Sequence, residues 1–220
     1  MVIFLSIVAH DLRGPIHLIK MNADLLKKDI KNKKSIEKIE LRVNNIRRIS
    51  ENMGRLVDIL LDINDDATCI PIEKDKIKIL SVLRRAVDNY SLLSVKNGIA
   101  INLYAIGAVD CLVECDGYKI EQVMGNLLDN AIKYAPKSSE ISVIIEKVDG
   151  GVCVSVSNRG CHLTPEDCKL IFDKNFVFDA RACGARGLGL FISKMIIDGH
   201  DGKIWAEVNR ELFKISFILR

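Results

Sequence analysis

From Ile36 onward, apolar residues recur at alternating spacings of three and four: Ile36, Ile39, Val43, Ile46, Ile49 or Ser50, Met53, Leu56 and Leu60. That spacing keeps one stripe of a helix apolar over many turns and marks a heptad seam. It predicts a helix over about Ile36 to Ile63, with Ser35 as its N-cap. Upstream, a second helix is predicted over roughly Val2 to Lys28. Pro15 inside it removes the backbone bond to the carbonyl of Asp11, so a kink is expected one turn after His10. Asn32 to Lys34 supplies the polar turn. Two long helices with a short turn make a hairpin, which alone leaves much of its apolar seam in water. Pairing two hairpins into a four-helix bundle covers the seam, so a homodimer is expected. Packing of the seam on the C-terminal part of the same chain is the alternative.

The heptad breaks over Asn64 to Pro71, which is polar and ends in a proline. A domain boundary is expected there, with domains over residues 1–64 and 72–220. Beyond it the pattern changes to short apolar runs mixed with helical periods. Strands are predicted over Ile72 to Ile79, Ile99 to Ala105 and Asp110 to Glu114. Two hairpins are predicted: Glu140 to Lys147 with Gly151 to Ser157, turned by Asp149 and Gly150, and Lys203 to Val208 with Phe213 to Leu219. Helices are predicted over Leu80 to Lys96, ended by Asn97 and Gly98, over Gly117 to Tyr134, and over Gly187 to Asp198. In the second of these, Ile120, Val123, Leu127, Leu128 and Ile132 share the buried side. The expected fold is α + α/β: a helical hairpin followed by an α/β sandwich, with one mixed sheet carrying helices on one face.

Composition narrows the function classes. The 220 residues are 49% hydrophobic and 28% charged, with a net charge of +3. Such a balance is ordinary for a globular chain and gives no case for nucleic acid, which calls for a dense basic face. Lys33 and Lys34, Arg47 and Arg48, and Arg84 and Arg85 are scattered pairs that read as solvated helix faces. The apolar start, Met1 to Ala9, is stopped by His10, Asp11 and Arg13, well short of the ~20 residues a membrane helix needs. It lacks the basic start of a signal peptide. The chain is expected to be cytoplasmic, without direct membrane contact, or the cytoplasmic part of a membrane receptor whose sensory or membrane segment lies upstream. The seven cysteines are odd in number and contain no CxxC, so reduced, buried thiols are expected. Cys161, His162 and Cys168 match no standard zinc spacing.

Three stretches carry chemistry. The first, FLSIVAHDLRGPI, presents His10 beside Asp11 and Arg13. The second, EQVMGNLLDNAIKY, places Asn126 and Asn130 four residues apart on one helix face, with Lys133 and Tyr134 on the next turn. Neutral amide oxygens suit Mg2+ that also holds phosphate oxygens and water. The third, GARGLGL, puts Gly184, Gly187, Leu188 and Gly189 at the opening of a helix, where free backbone amides and the helix dipole favour phosphate.

Together these stretches resemble the phosphoacceptor box, asparagine box and glycine-rich lid of bacterial sensor histidine kinases. NLLDNAIKY and the run from GARGLGL through LFISKMIIDGHDGKIWAEV match that family's pattern. The order of elements is similar to the Bergerat ATP-binding fold shared by histidine kinases, gyrases and Hsp90-like chaperones. The resemblance implies ATP-dependent autophosphorylation of His10 and transfer to an aspartate on a response-regulator receiver domain. It implies that the His10 imidazole attacks the γ-phosphate of ATP while Asp11 accepts the other ring proton. It further implies that Asn130 ligates Mg2+, Lys133 contacts phosphate, Tyr134 borders the nucleotide, and residues 173–185 form the lid. Phe172 and Phe176 resemble the family's phenylalanine box. The family's DxGxG pattern falls on Asn158, Gly160 and His162.

Three departures shape the expectations. Gly14 stands where the family usually has Thr or Asn to orient a water for dephosphorylating the regulator, so weak phosphatase activity is expected. Asn158 replaces an aspartate that accepts the adenine amine, and the lost charge implies weaker nucleotide binding by up to about tenfold. His162 adds a Cβ where close backbone approach is needed. Asn126 stands where hydrolytic relatives carry a water-activating glutamate; an amide is no base, which favours transfer over hydrolysis. The alternative reading is a catalytically impaired histidine phosphotransfer or scaffold protein with a degenerate nucleotide pocket. A chaperone-like ATPase is disfavoured by Asn126 and by the His10 helix.

Overall fold

Buried and open side chains alternate strictly along two neighbouring runs, Ile141 to Ile145 and Val152 to Asn158, and these strands form the centre of the sheet. The protein is seen here as a computed structural model that describes residues 16, 19–62, 70–107, 111–160, 163–173, 176 and 188–220. The chain divides into two compact units, with the change between Thr68 and Cys69.

The first unit is a pair of helices. Helix α1 is described over residues 19–31, with Ile16 also helical, and α2 spans Ile36–Asp62. Asn32 and Lys33 turn the chain between them, Lys33 taking a φ of +50°. Arg42 Nε donates to Asp29 Oδ2 at 3.4 Å, which ties the two helices near the turn. The predicted seam separates into two rows. Ile39, Ile46 and Met53 recur every seven residues and are half-buried, as is Ile49. Ile36 and Val43, also seven apart, are 74% and 48% exposed. On α1, Ile16 and Ile30 are likewise exposed. One hairpin therefore half-buries one apolar row and leaves a second in water.

The second unit begins with β1 (Asp75–Lys78), α3 (Ile79–Lys96), β2 (Ala100–Ile106) and β3 (Leu112–Cys115). Next come α4 (Gly117–Tyr134), β4 (Glu140–Val148), β5 (Gly151–Arg159) and α5 (Pro165–Leu170). It ends with α6 (Leu188–Gly199), β6 (Lys203–Asn209) and β7 (Leu212–Leu219). The main sheet has the order β2-β4-β5-β7-β6. Its β2–β4 pair is parallel and the other three pairs are antiparallel. One sheet face carries rows of buried apolar residues, such as Ile145–Val154–Phe217–Ile204, against which the helices pack. The opposite face is polar: Ser155 and Ser216 hydroxyls lie 2.9 Å apart, and Lys214 pairs with Glu207 at 2.7 Å. Helix α4 packs between α3 and α6.

Two features differ from the sequence expectation. β1 and β3 do not join the main sheet but pair antiparallel as a sheet of their own. Each has only four residues and turns polar side chains outward, with Lys76 pairing to Glu114 at 3.7 Å, so neither suits a sheet interior. The short helix α5 was not foreseen. Its start is nevertheless written in the sequence: Thr164 and Asp167 form a capping box, and Pro165 occupies the first turn.

Candidate functional site

Helix α4 organises the site because two other elements close on its two flanks. Its own start is fixed by Asp116, whose side chain accepts from Lys119 N at 3.0 Å as an N-cap. Its buried face, Ile120, Val123, Met124, Leu127, Leu128 and Ala131, packs inward. Asn126 and Asn130 flank that face and are half-buried. Lys133 is exposed and lays its Nζ 4.9 Å from the centroid of the Tyr134 ring, a cation–π contact.

On one flank, the exit of β5 meets the end of α4 at Gly160. That residue has φ +88°, and a Cβ there would stand 2.7 Å from Pro136 Cδ and 2.9 Å from the Tyr134 carbonyl oxygen. Only glycine satisfies both the conformation and the approach. Gly160 N donates to Glu211 O at 3.3 Å, which ties the same corner to the β6–β7 turn. Just before it, Asn158 is 3% exposed. Its Nδ2 donates to the Arg159 carbonyl at 2.9 Å, so the amide nitrogen is committed. Among the described residues nothing donates to Asn158 Oδ1. A buried acceptor without a donor is a place where a ligand amine is recognised at little cost.

On the other flank, α6 begins against Asn126. Asn126 Nδ2 donates to Gly189 O at 3.0 Å and to Ser193 Oγ at 3.3 Å. A Cβ on Gly189 would lie 3.5 to 3.7 Å from the Asn126 side chain, so the helix start rests directly on that amide. Helix α5 delivers Phe172, which is buried, and Phe176 follows with its N–H bonded to Asp173 O at 3.1 Å.

The structure thus brings Asn126, Asn130, Lys133, Tyr134, Asn158, Gly160 and Gly189 onto one helix and its two neighbours. Leu188 opens α6. His10, Asp11, Gly14, His162, Gly184 and Gly187 lie outside the described residues. The donor set fits ATP with magnesium. Among the described residues no three His, Cys, Asp or Glu side chains converge, so a metal here would rest on amide oxygens, phosphate and water. The Asn130 side chain has no hydrogen-bond partner among the described residues. Sequence reasoning missed Ser193. Its signal was present, a hydroxyl four residues after Gly189 and hence one helical turn away.

Comparison with known proteins places these features in a family. The family model described as "Histidine kinase-, DNA gyrase B-, and HSP90-like ATPase" matches residues 115–219. The "His Kinase A (phospho-acceptor) domain" model matches residues 1–66. The chain is 28% identical over 210 residues to the sensor histidine kinase WalK of Bacillus subtilis, covering 93% of this chain and 34% of that protein. Across the first curated relatives the chain spans only 22% to 37% of their length. A solved catalytic domain of histidine kinase ThkA is 31% identical, with a TM-score of 0.58, covering 66% of this chain and 97% of that one. ThkA solved in complex with the response regulator TrrA is 26% identical, with a TM-score of 0.63, covering 99% of this chain and 61% of that one.

Proposed function

We propose that this chain, which belongs to the sensor histidine kinase family, binds ATP at the α4-centred site and phosphorylates its own His10. The phosphoryl group then passes to an aspartate of a response-regulator receiver domain. The observation that carries the reading is the joint use of α4. Its Asn126 and Asn130 side meets the Gly189 start of α6, and its Tyr134 end meets the Asn158–Gly160 corner. In this reading base recognition at β5 and phosphate recognition at α6 are both arranged against α4.

In this reading Asn158 Oδ1 accepts the adenine amine and the Gly187 to Gly189 amides meet phosphate at the helix start. Asn130 would hold Mg2+ through its amide oxygen, and Lys133 would offer its cation to phosphate. The metal supplies charge neutralisation on the phosphate oxygens. The His10 nitrogen forms a bond to the γ-phosphorus as the bridging P–O bond breaks, ADP leaves, and Asp11 takes up the other ring proton. Asn126 cannot deprotonate water, which disfavours hydrolysis. Gly14 has no side chain to orient a water, so the protein is expected to be a poor phosphatase toward its regulator.

Residues 1–64 serve as the dimerisation and phosphoacceptor domain and residues 72–220 as the ATP-binding domain. The exposed row with Ile36 and Val43 supports pairing of two hairpins. Among the described residues no helix is long and apolar enough to cross a membrane. The partner complex of ThkA supports a receiver domain as the phosphoryl acceptor.

Incubation with γ-labelled ATP and Mg2+ tests the proposal. Acid-labile, base-stable label that disappears in His10→Ala is the expected result. Absence of label, with label accepted from a phosphorylated partner, would instead establish the impaired phosphotransfer reading.

A further inference from the structure

Ser193 is fully buried in α6, at 0% exposure, yet it carries a hydroxyl among the helix's buried apolar residues Ile192, Ile196 and Ile197. Its Oγ–H donates to Gly189 O at 2.8 Å. That leaves the Oγ lone pairs for Asn126 Nδ2 at 3.3 Å, while the same nitrogen reaches Gly189 O at 3.0 Å. The carbonyl oxygen of Gly189 can only accept. The half of the Asn126 amide that faces it must therefore be the NH2, and both of its hydrogens have a taker. A flipped amide would set Oδ1 against the Gly189 carbonyl, lone pair against lone pair, and leave Ser193 Oγ without a donor.

We propose that Ser193 is a positioning residue for the nucleotide site: with the Gly189 carbonyl it fixes the Asn126 amide in the one orientation that presents Oδ1, which accepts from no described residue, as an acceptor one turn from Asn130. The proposal rests on the nucleotide reading above and deepens it. Asn126 then offers the same chemistry as Asn130, a neutral oxygen suited to Mg2+ or to a water bound to it. The orientation is set before any ligand arrives, so no amide rotation accompanies binding. Gly189 completes the arrangement, since a Cβ at that position would come into van der Waals contact with Oδ1 at 3.6 Å.

The test has a ligand-free arm and a metal arm, both on the full chain. In 15N-labelled protein, the Asn126 side-chain NH2 is expected to give two resolved signals protected from solvent exchange. Ser193→Ala should lose that protection and Ser193→Thr should keep it; an unprotected amide in the parent protein overturns the proposal. In the metal arm, binding of a fluorescent ATP analogue is titrated with Mg2+ and repeated in EDTA. Ser193→Ala is expected to raise the Mg2+ concentration required by about five- to tenfold, from loss of one hydrogen bond. Binding in EDTA should not change, and Ser193→Ala should add nothing in an Asn126→Ala background. An equal loss in EDTA, or a full effect in that background, overturns the positioning role in favour of simple packing. If the parent protein binds no nucleotide, the kinase reading falls, and the NH2 signals still decide the role of Ser193.

Discussion

His200 Nε2 accepts the backbone N–H of Asp116 at 2.9 Å, while its Nδ1 lies 2.7 Å from the Ile196 carbonyl. The carbonyl only accepts and the N–H only donates, so the ring is neutral with its proton on Nδ1. The bond joins the end of α6 to the N-cap of α4, at the far ends of the two helices that meet at Asn126 and Gly189. The same corner holds the entry of the second unit. Glu73 N donates to Asp116 Oδ2 at 3.3 Å, and Lys74 pairs with Asp201 at 2.8 Å. Burial holds the His200 pKa below its ordinary value, despite the opposing bond to Ile196 and the charge of Asp116.

A pH dependence follows from that direction. The unfolded chain takes up the His200 proton near pH 6.5, whereas the folded chain resists it to a lower pH. The contribution is fully present above about pH 6.5 and is lost as pH falls through the folded value. Urea unfolding of the parent should show stability falling from pH 7.5 to pH 5. In His200→Ala, stability at pH 7.5 should drop by roughly 2–3 kcal/mol, and part of the acid-side slope should disappear. Parallel pH curves for the two proteins would show that His200 is not the linked group.

Gly160→Ala should be among the most damaging single-methyl changes in the second unit. The left-handed φ and the 2.7 Å approach to Pro136 act together. The expected cost is roughly 2–4 kcal/mol, or a fall in melting temperature on the order of 5–10 °C. Differential scanning calorimetry reads it. Gly54→Ala is the contrasting control, because nothing lies within 4 Å of its Cβ position.

Asn158→Asp should separate binding from stability. The carboxylate is a stronger acceptor for an adenine amine, so ATP affinity should rise by up to about tenfold. It cannot donate to Arg159 O, and it places a charge at a residue that is 3% exposed. The ligand-free protein should therefore lose about 1–3 kcal/mol. Calorimetric titration and thermal melts measure the two effects. An unchanged dissociation constant would mean that the base is held by other groups.

Val43→Lys should break the proposed dimer without unfolding the hairpin. Val43 is 48% exposed in one chain, so the lysine meets water in a monomer but apolar side chains in a paired bundle. Sedimentation should report a shift from dimer toward monomer, with helical circular dichroism retained. A parent protein that is already monomeric would remove the reason for the exposed row.

The local periods of the sequence determined the elements of α2 and α4, including both ends of α4 at Gly117 and Tyr134. They determined the β4–β5 hairpin, whose turn uses Gly150 at φ +75°. They also put Asn126 and Asn130 on one face, because spacing along a helix is fixed by its 3.6-residue turn. Other features depend on residues far away in the chain, and no local period encodes them. The heptad could not say that Ile39 and Ile46 become half-buried while Ile36 and Val43 stay in water. Strand propensity could not say that β1 pairs with β3 apart from the main sheet. Gly160 in the motif was legible, but its reason was the Pro136 ring. Above all, the sequence supplied an asparagine at position 126 and a serine at 193 without saying which end of the amide faces the site. That was decided by a carbonyl 63 residues further along the chain, which accepts hydrogen bonds and donates none.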